Sequence, residues 1–272
     1  MNSKTLIEEE KSDFSMSKWY MDCIDTNGNV FIGYSAVLKW KKIKLNYTNI
    51  LYYDGLGKPT ERSTLRKLPS PGLKNNCMTW DPSKLQTRGT WNRIDAPLRK
   101  TLLNTEVGTI RWDCFQPKAN ANILNGNNKI ITGFGYAEKL DMTIKPWELP
   151  FNELRWGRFL SEKDTIIWVI WTGDTNCNLL FHNGKSIKDA IVSDECVDIN
   201  QRELLLTFSD KLVLRKGSLI STALSNLPGL TGIFPSKVLN TYECKWRSRG
   251  ILTRENKKVS DGWVIHEVIR WH

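Results

Sequence analysis

The chain has 272 residues, 12 of them tryptophan, with 39 lysines and arginines against 29 aspartates and glutamates and a formal net charge of +10. That length suits one large all-β domain or two smaller ones, and it buries a sizeable core without staples. The basic excess lies in small clusters at 39–44, 245–249 and 254–258, with no recognition helix, zinc finger or arginine-rich tail. Nucleic acid is therefore not an expected partner. The clusters at 39–44 and 245–249 leave weak association with an anionic membrane surface open. No window is apolar for long enough to form a spanning helix.

Residues 1–18 contain Glu8-Glu9-Glu10 and no apolar h-region, and they read as a flexible polar leader with no secretory signal. The six cysteines form no C-x-x-C pair. His182, His266 and His272 share no ligand spacing with any of them. The expectation is reduced thiols, no metal, no cofactor and a cytoplasmic location.

The pattern is strand-like nearly throughout. Residues 19–24, an Asp25-Thr26-Asn27-Gly28 turn and residues 30–40 predict a hairpin, since Asn-Gly supplies positive φ between β-branched and aromatic arms. Residues 41–53 follow as a third strand with Leu45, Tyr47, Asn49, Leu51 and Tyr53 on one face. Residues 54–97, rich in Gly, Pro, Lys and Arg, read as a long loop or short strands. Residues 108–115 return to strand, with Ile110 and Trp112 in phase. The Asn-heavy stretch 119–129 reads as turns, and the domain boundary is expected there, dividing 19–125 from 126–272.

The second half predicts strands at 129–141, 153–161, 164–172, 178–182, 203–209, 211–215, 242–249 and 262–271, with turns at Asn183-Gly184 and Ser209-Asp210. A short helix is expected at 219–227, closed by Pro228-Gly229. Many short strands with regular turns imply a sandwich or a barrel. Two tryptophan-led hairpins, from Trp19 to Trp40 and from Trp156 to Trp171, form a faint internal echo.

The most informative stretch is 133–160, which holds Gly133-Phe134-Gly135-Tyr136-Ala137-Glu138 and Trp156-Gly157-Arg158-Phe159. On a strand, Phe134, Tyr136, Glu138 and Leu140 share a face, and Gly135 and Ala137 leave the other open to close approach. A carboxylate in that company is either tied to a partner or kept for chemistry.

These two motifs, with the opening Lys18-Trp19-Tyr20-Met21, resemble the G-x-G-Y-x-[DE], W-x-W-G-R and W-W-Y-F signatures of lipocalin-like carotenoid 1,2-hydratases and their AttH-type relatives. Fungal relatives of that family promote Diels–Alder cyclisations. The resemblance implies an all-β protein of two lipocalin-like antiparallel barrels packed together, with substrate in apolar space within or between them. Hydratase members carry Asp-His after the tyrosine. Here Glu138 keeps an acid and Lys139 removes the imidazole, which argues against inheriting carotenoid hydration.

Two readings of Glu138 stay open. As a catalytic acid it would be kept neutral by apolar burial, with Tyr136 orienting it and Trp156 stabilising a developing cation. As a structural residue it would pair with Arg158 and stay ionised. Further candidates for substrate contact are Tyr20, Tyr34, Trp147 as a pocket lip, and His266 as a base. His266 between Val264 and Val268 also reads as a bonded core residue, and Asp22 near the Gly28 turn reads as solvated. No nucleophile elbow or dinucleotide fingerprint is present. The expected function is cofactor-independent cyclisation, hydration or isomerisation of a hydrophobic polyene, terpenoid or polyketide-like molecule. The alternative is a carrier that binds such a ligand unchanged.

Overall fold

The computed structural model of the chain describes residues 13–126, 129–201, 203–218, 221 and 235–271. Residues 1–12 of the expected leader and all but one of 219–227, the expected helix, lie outside them. Regular structure starts before residue 18, because Phe14 already lies in a strand and is buried.

A ten-stranded antiparallel sheet comprises β1 (Phe14–Ile24), β2 (Val30–Trp40), β3 (Ile43–Tyr53), β4 (Thr60–Thr64), β5 (Gly72–Lys74), β6 (Cys77–Trp80), β7 (Thr87–Arg93), β8 (Leu98–Thr105), β9 (Gly108–Asn125) and β10 (Lys129–Met142). Its order is β4-β3-β2-β1-β10-β9-β7-β6-β5, with β8 also on β9. The second sheet, of nine strands, comprises β11 (Glu153–Ser161), β12 (Thr165–Thr172), β13 (Cys177–His182), β14 (Lys185–Ile187), β15 (Ala190–Val192), β16 (Cys196–Ile199), β17 (Leu204–Ser218), β18 (Tyr242–Arg254) and β19 (Lys257–Arg270). Its order is β14-β13-β12-β11-β19-β18-β17-β16-β15.

Each sheet curls back on itself. Asn178 on β13 donates to the Ala190 carbonyl on β15 at 3.0 Å, and Arg62 on edge strand β4 reaches Asn125 on β9. Two interiors result. The first is filled by Met21, Phe31, Trp80, Trp91 and Ala137, the second by Phe159, Ile166, Trp168, Leu180 and Val264. A third apolar cluster draws on both sheets and forms the seam between the barrels, with Tyr20, Trp112, Tyr136, Trp156, Ile167, Phe181 and Ile265 among its members.

Strand period explains this three-core plan. On β1, Tyr20 and Ile24 face the seam while Met21 and Cys23 face the first interior. On β11, Trp156 and Leu160 face the seam while Phe159 faces the second interior. Central strands are thus covered on both faces and read as nearly continuous apolar runs.

The change of sheet comes between β10 and β11, after Met142, and not at 119–129. Residues 119–125 complete β9, with Ala119, Ala121 and Ile123 buried and Asn120, Asn122 and Leu124 exposed. Asparagine at every second position marked the wet face of a strand, which composition alone presents as a loop. Likewise 54–97 holds β4 to β7, and its Trp80 and Trp91 are core residues. Ser209-Asp210 is a bulge within the single strand β17, with Asp210 at φ 48°.

The Asn27-Gly28 turn forms as expected and also joins the barrels. Gly28 has φ +82°, and a Cβ there would stand 2.4 Å from Arg247 Nη1 and 2.7 Å from the Trp263 ring. All six cysteines are free thiols. Among the described residues, no helix is long and apolar enough to cross a membrane and no group of metal-ligating side chains gathers.

Candidate functional site

Glu138 lies on β10 where β9 bulges, the register slipping on either side of Ala137. A bulge re-aims side chains and tolerates the proline that β9 carries at 117. Tyr136 and Glu138 share the seam-facing side of β10, with Gly135 packed against Ala121 and Trp91 on the other.

Three donors converge on one oxygen of this carboxyl group. The Tyr136 hydroxyl and the Trp112 indole N–H donate to Glu138 Oε2 through short bonds, and the Trp156 indole N–H donates to it at 3.2 Å. Glu138 Oε1 has no hydrogen-bond partner among the described residues. Burial pushes the carboxyl pKa up, opposed by the hydrogen bonds from Trp112, Tyr136 and Trp156 and by the charge of Lys18. The residue as a whole remains only partly buried.

Aromatic rings enclose the acid. Tyr20 meets Trp156 edge-on at 4.7 Å and Tyr34 at 5.4 Å, Tyr136 meets Trp156 at 5.6 Å, and Trp112 stacks on Phe181 at 6.0 Å. The chamber therefore takes walls from β1, β2, β9 and β10 of one barrel and from β11 and β13 of the other.

Charges buried in the seam frame the chamber. Arg158 makes a bidentate pair with Asp22, Nη2 to Oδ1 at 2.8 Å and Nε to Oδ2 at 3.1 Å, and both side chains are 0% exposed. Its Nη1 donates to the Trp263 carbonyl at 2.9 Å, and the Tyr20 hydroxyl donates to Asp22 at 2.9 Å. Burial raises the Asp22 pKa against the pull of Arg158. Arg215 reaches across to Glu61 at 2.7 Å and Asn49 at 2.8 Å. Lys245 pairs with Glu267, and its ammonium lies 5.4 Å from the centres of both the Tyr20 and Trp156 rings. Burial alone would depress the Lys245 pKa, and Glu267, Tyr34 and Glu243 more than reverse this.

An open cleft of about 820 Å³ lies beside the chamber at the hairpin ends. Its lining includes Ile24, Phe134, Leu160 and Trp263. These are the next same-face residues beyond Asp22, Tyr136, Arg158 and Ile265, about 7 Å further along their strands.

No protein-family model matches the chain, and no curated protein matches its sequence. Solved structures do. The chain aligns with CghA over 95% of its own length and 89% of that chain, at 9% identity and a TM-score of 0.56. CghA solved with Sch210972 aligns at 9% identity over the same shares, with a TM-score of 0.54. Kievitone hydratase from Nectria haematococca aligns at 10% identity over 93% of this chain and 88% of that one, with a TM-score of 0.53. The fold is the lipocalin-like double barrel. The short motifs at 18–21, 133–138 and 156–159 thus pointed to the architecture the chain adopts.

Within the lipocalin-like fold, Tyr20, Tyr34, Tyr136, Glu138 and Trp156 come together in one chamber. Arg158 is adjacent, but it pairs with Asp22 and leaves Glu138 unpaired. The structural pairing considered for Glu138 therefore fails, and Asp22 is fully buried instead of solvated. One strand rung decides this: Arg158 lies opposite Ile265, two residues beyond Trp156, whose indole is the group that reaches the acid.

His266 points into the second barrel, away from the chamber, because seam-facing positions on β19 are odd-numbered. It shares a 3.0 Å hydrogen bond with Ser248, stacks on Trp246 and is pushed down to about pKa 3 by burial. Trp147 packs on Phe14 and Trp40. Phe14 is six residues before Tyr20, so Trp147 lies about 20 Å along β1 from Tyr20, at the other end of the seam cluster. Lys245 and Arg247, from the basic cluster at 245–249, face the seam, and Lys245 is 1% exposed.

Sequence reasoning missed Trp112, Asp22, Lys18 and Lys245. The parity of Lys18, Tyr20 and Asp22 on β1 was a usable signal for two of them. Cross-barrel contacts had no local signal.

Proposed function

We propose that the chain is a cofactor-independent catalyst that protonates or polarises a hydrophobic small molecule held between the barrels, in a cyclisation, hydration or isomerisation. The observation that carries this reading is the Glu138 carboxyl group. Three donors fix one of its oxygens, the other oxygen is free, and burial favours the neutral acid that proton donation requires. The aromatic walls would hold the substrate in a reactive fold and face a developing cation with π density. The names of CghA and kievitone hydratase agree with small-molecule chemistry on this fold, although fold alone does not carry function.

Turnover of a panel of linear polyenes, prenylated phenols and polyenyl ketones is the test. Glu138→Gln is expected to abolish product formation while tryptophan-quenching affinity for the same compounds stays within about twofold. Unchanged turnover sinks the acid assignment. Binding by both forms with no turnover favours the carrier.

The protonation state has its own readout. A carboxyl pKa raised on folding stabilises the protein fully below the unfolded glutamate range, and that stability is lost as pH rises through the folded pKa. Wild-type urea stability should therefore fall relative to Glu138→Gln as pH rises above the unfolded glutamate range, by about 1.4 kcal/mol for each tenfold difference in proton affinity between the folded and unfolded chain. Parallel curves would show an ordinary carboxylate.

A further inference from the structure

Four cations lie on the seam around Tyr20 and Tyr34, and three are matched. Arg158 has Asp22, Arg215 has Glu61, and Lys245 has Glu267 with Glu243. Lys18 has no carboxylate within ion-pair distance among the described residues. Its ammonium lies 5.3 Å from the centre of the Tyr34 ring, and its charge acts on Glu138. Strand register explains the proximity: Tyr20 is level with Glu138 and with Tyr34, and Lys18 is the next same-face residue on β1.

Tyr34 is equally incomplete. It is 5% exposed, and its hydroxyl makes no hydrogen bond among the described residues. Arg215 and Lys245 also approach its ring, at 5.3 and 6.0 Å. Burial outweighs these cations and keeps the phenol protonated, so its hydroxyl stands as a donor toward negative charge. If Glu138 were ionised it would balance Lys18. Kept neutral, it leaves one half-buried cation without a carboxylate and one free hydroxyl side by side on the chamber wall.

We propose that the ligand of this chamber carries an anionic oxygen head, carboxylate or enolate, received by Lys18 Nζ and Tyr34 Oη, with its apolar body against Trp156 and Phe181. This rests on the reading that the chamber binds a hydrophobic small molecule, and it selects among such molecules against neutral hydrocarbons.

Two matched probe pairs test it on the full chain. 1-Pyrenebutyrate and 1-pyrenebutanol share a body and differ in the charged oxygen. 4-Hydroxycoumarin, an acidic enol, and 4-methoxycoumarin do the same for an enolate. Binding is read by tryptophan quenching at fixed low salt. Wild type should prefer the anionic member of at least one pair by roughly tenfold, about the worth of one charge-assisted hydrogen bond. Lys18→Met should erase that preference while the neutral member binds within about twofold of wild type, and Lys18→Arg should retain it. The pair that shows the preference identifies carboxylate or enolate. Equal binding of both members by wild type, or a preference that survives in Lys18→Met, overturns the proposal and leaves the chamber reading intact. Failure of all four probes to bind overturns both.

Discussion

The two barrel interiors and the seam between them are built from the same strands and the same stock of aromatics, yet they differ in kind. The interiors are built around packed aromatics, with Trp80 and Trp91 in one and Phe159 and Trp168 in the other. Polar groups there are uncharged: Gln116 bonds backbone carbonyls, and His266 is held neutral by burial and shares a hydrogen bond with Ser248. The seam carries the Asp22–Arg158 pair, the Arg215–Glu61 bridge, caged Lys245 and the Glu138 carboxyl group with three donors on one oxygen. An apolar interior makes a barrel stand up. A polar seam fixes how two barrels meet, since charged partners leave few acceptable registers. It also confines reactive groups to the surface that both barrels share.

The sharpest way to break this contrast is to unbalance the seam. Asp22→Asn leaves Arg158 buried without its counter-charge and should cost about 3–5 kcal/mol in urea unfolding. Joint replacement, Asp22→Leu with Arg158→Met, should recover most of that loss, because apolar pairs of similar volume are often neutral. A double variant as unstable as the single one would show that the pair does more than compensate itself.

The interior should respond in its own way, through pH. A histidine held at about pKa 3 from an ordinary value of 6.5 contributes stability that is present above the unfolded pKa and lost as pH falls below it. His266→Gln should flatten that acid arm of the stability curve without changing ligand affinity at neutral pH. A loss of affinity would place His266 in the site after all.

The smallest expected effect refines the seam itself. Trp156→Phe keeps a ring against Tyr20 but removes one of the three donors to Glu138, at a cost of about 1 kcal/mol. Loss of a donor to the charged form pushes the acid's pKa further up, so the alkaline limb of the pH–rate profile, where the proton is lost, should move to higher pH. A profile that stays put would show that Trp112 and Tyr136 suffice to set the acid.

Much of the fold was legible because its signals are local. The Asn27-Gly28 turn, the period-2 runs and the shared face of Tyr136 and Glu138 follow from backbone geometry within a few residues. Failures came where local composition misled. The alternating asparagines of 119–125 looked like a loop, and Ser209-Asp210 looked like a turn although β17 passes through it as a bulge.

For the site, chain parity placed Tyr20, Tyr136, Glu138 and Trp156 on faces that could meet, and it could go no further. Which carboxylate Arg158 would take depended on how far one barrel slides along the other, and that is decided by contacts more than a hundred residues apart, such as Arg158 with Asp22. His266 and Lys245 exchanged expected roles for the same reason: the face of β18 or β19 that becomes the seam depends on the partner barrel, which no local pattern encodes. The sequence by itself determined strands, turns, side-chain faces and the double-barrel type. Only the tertiary structure decided which of those faces are joined, and so which acid is free and which cation lacks a partner.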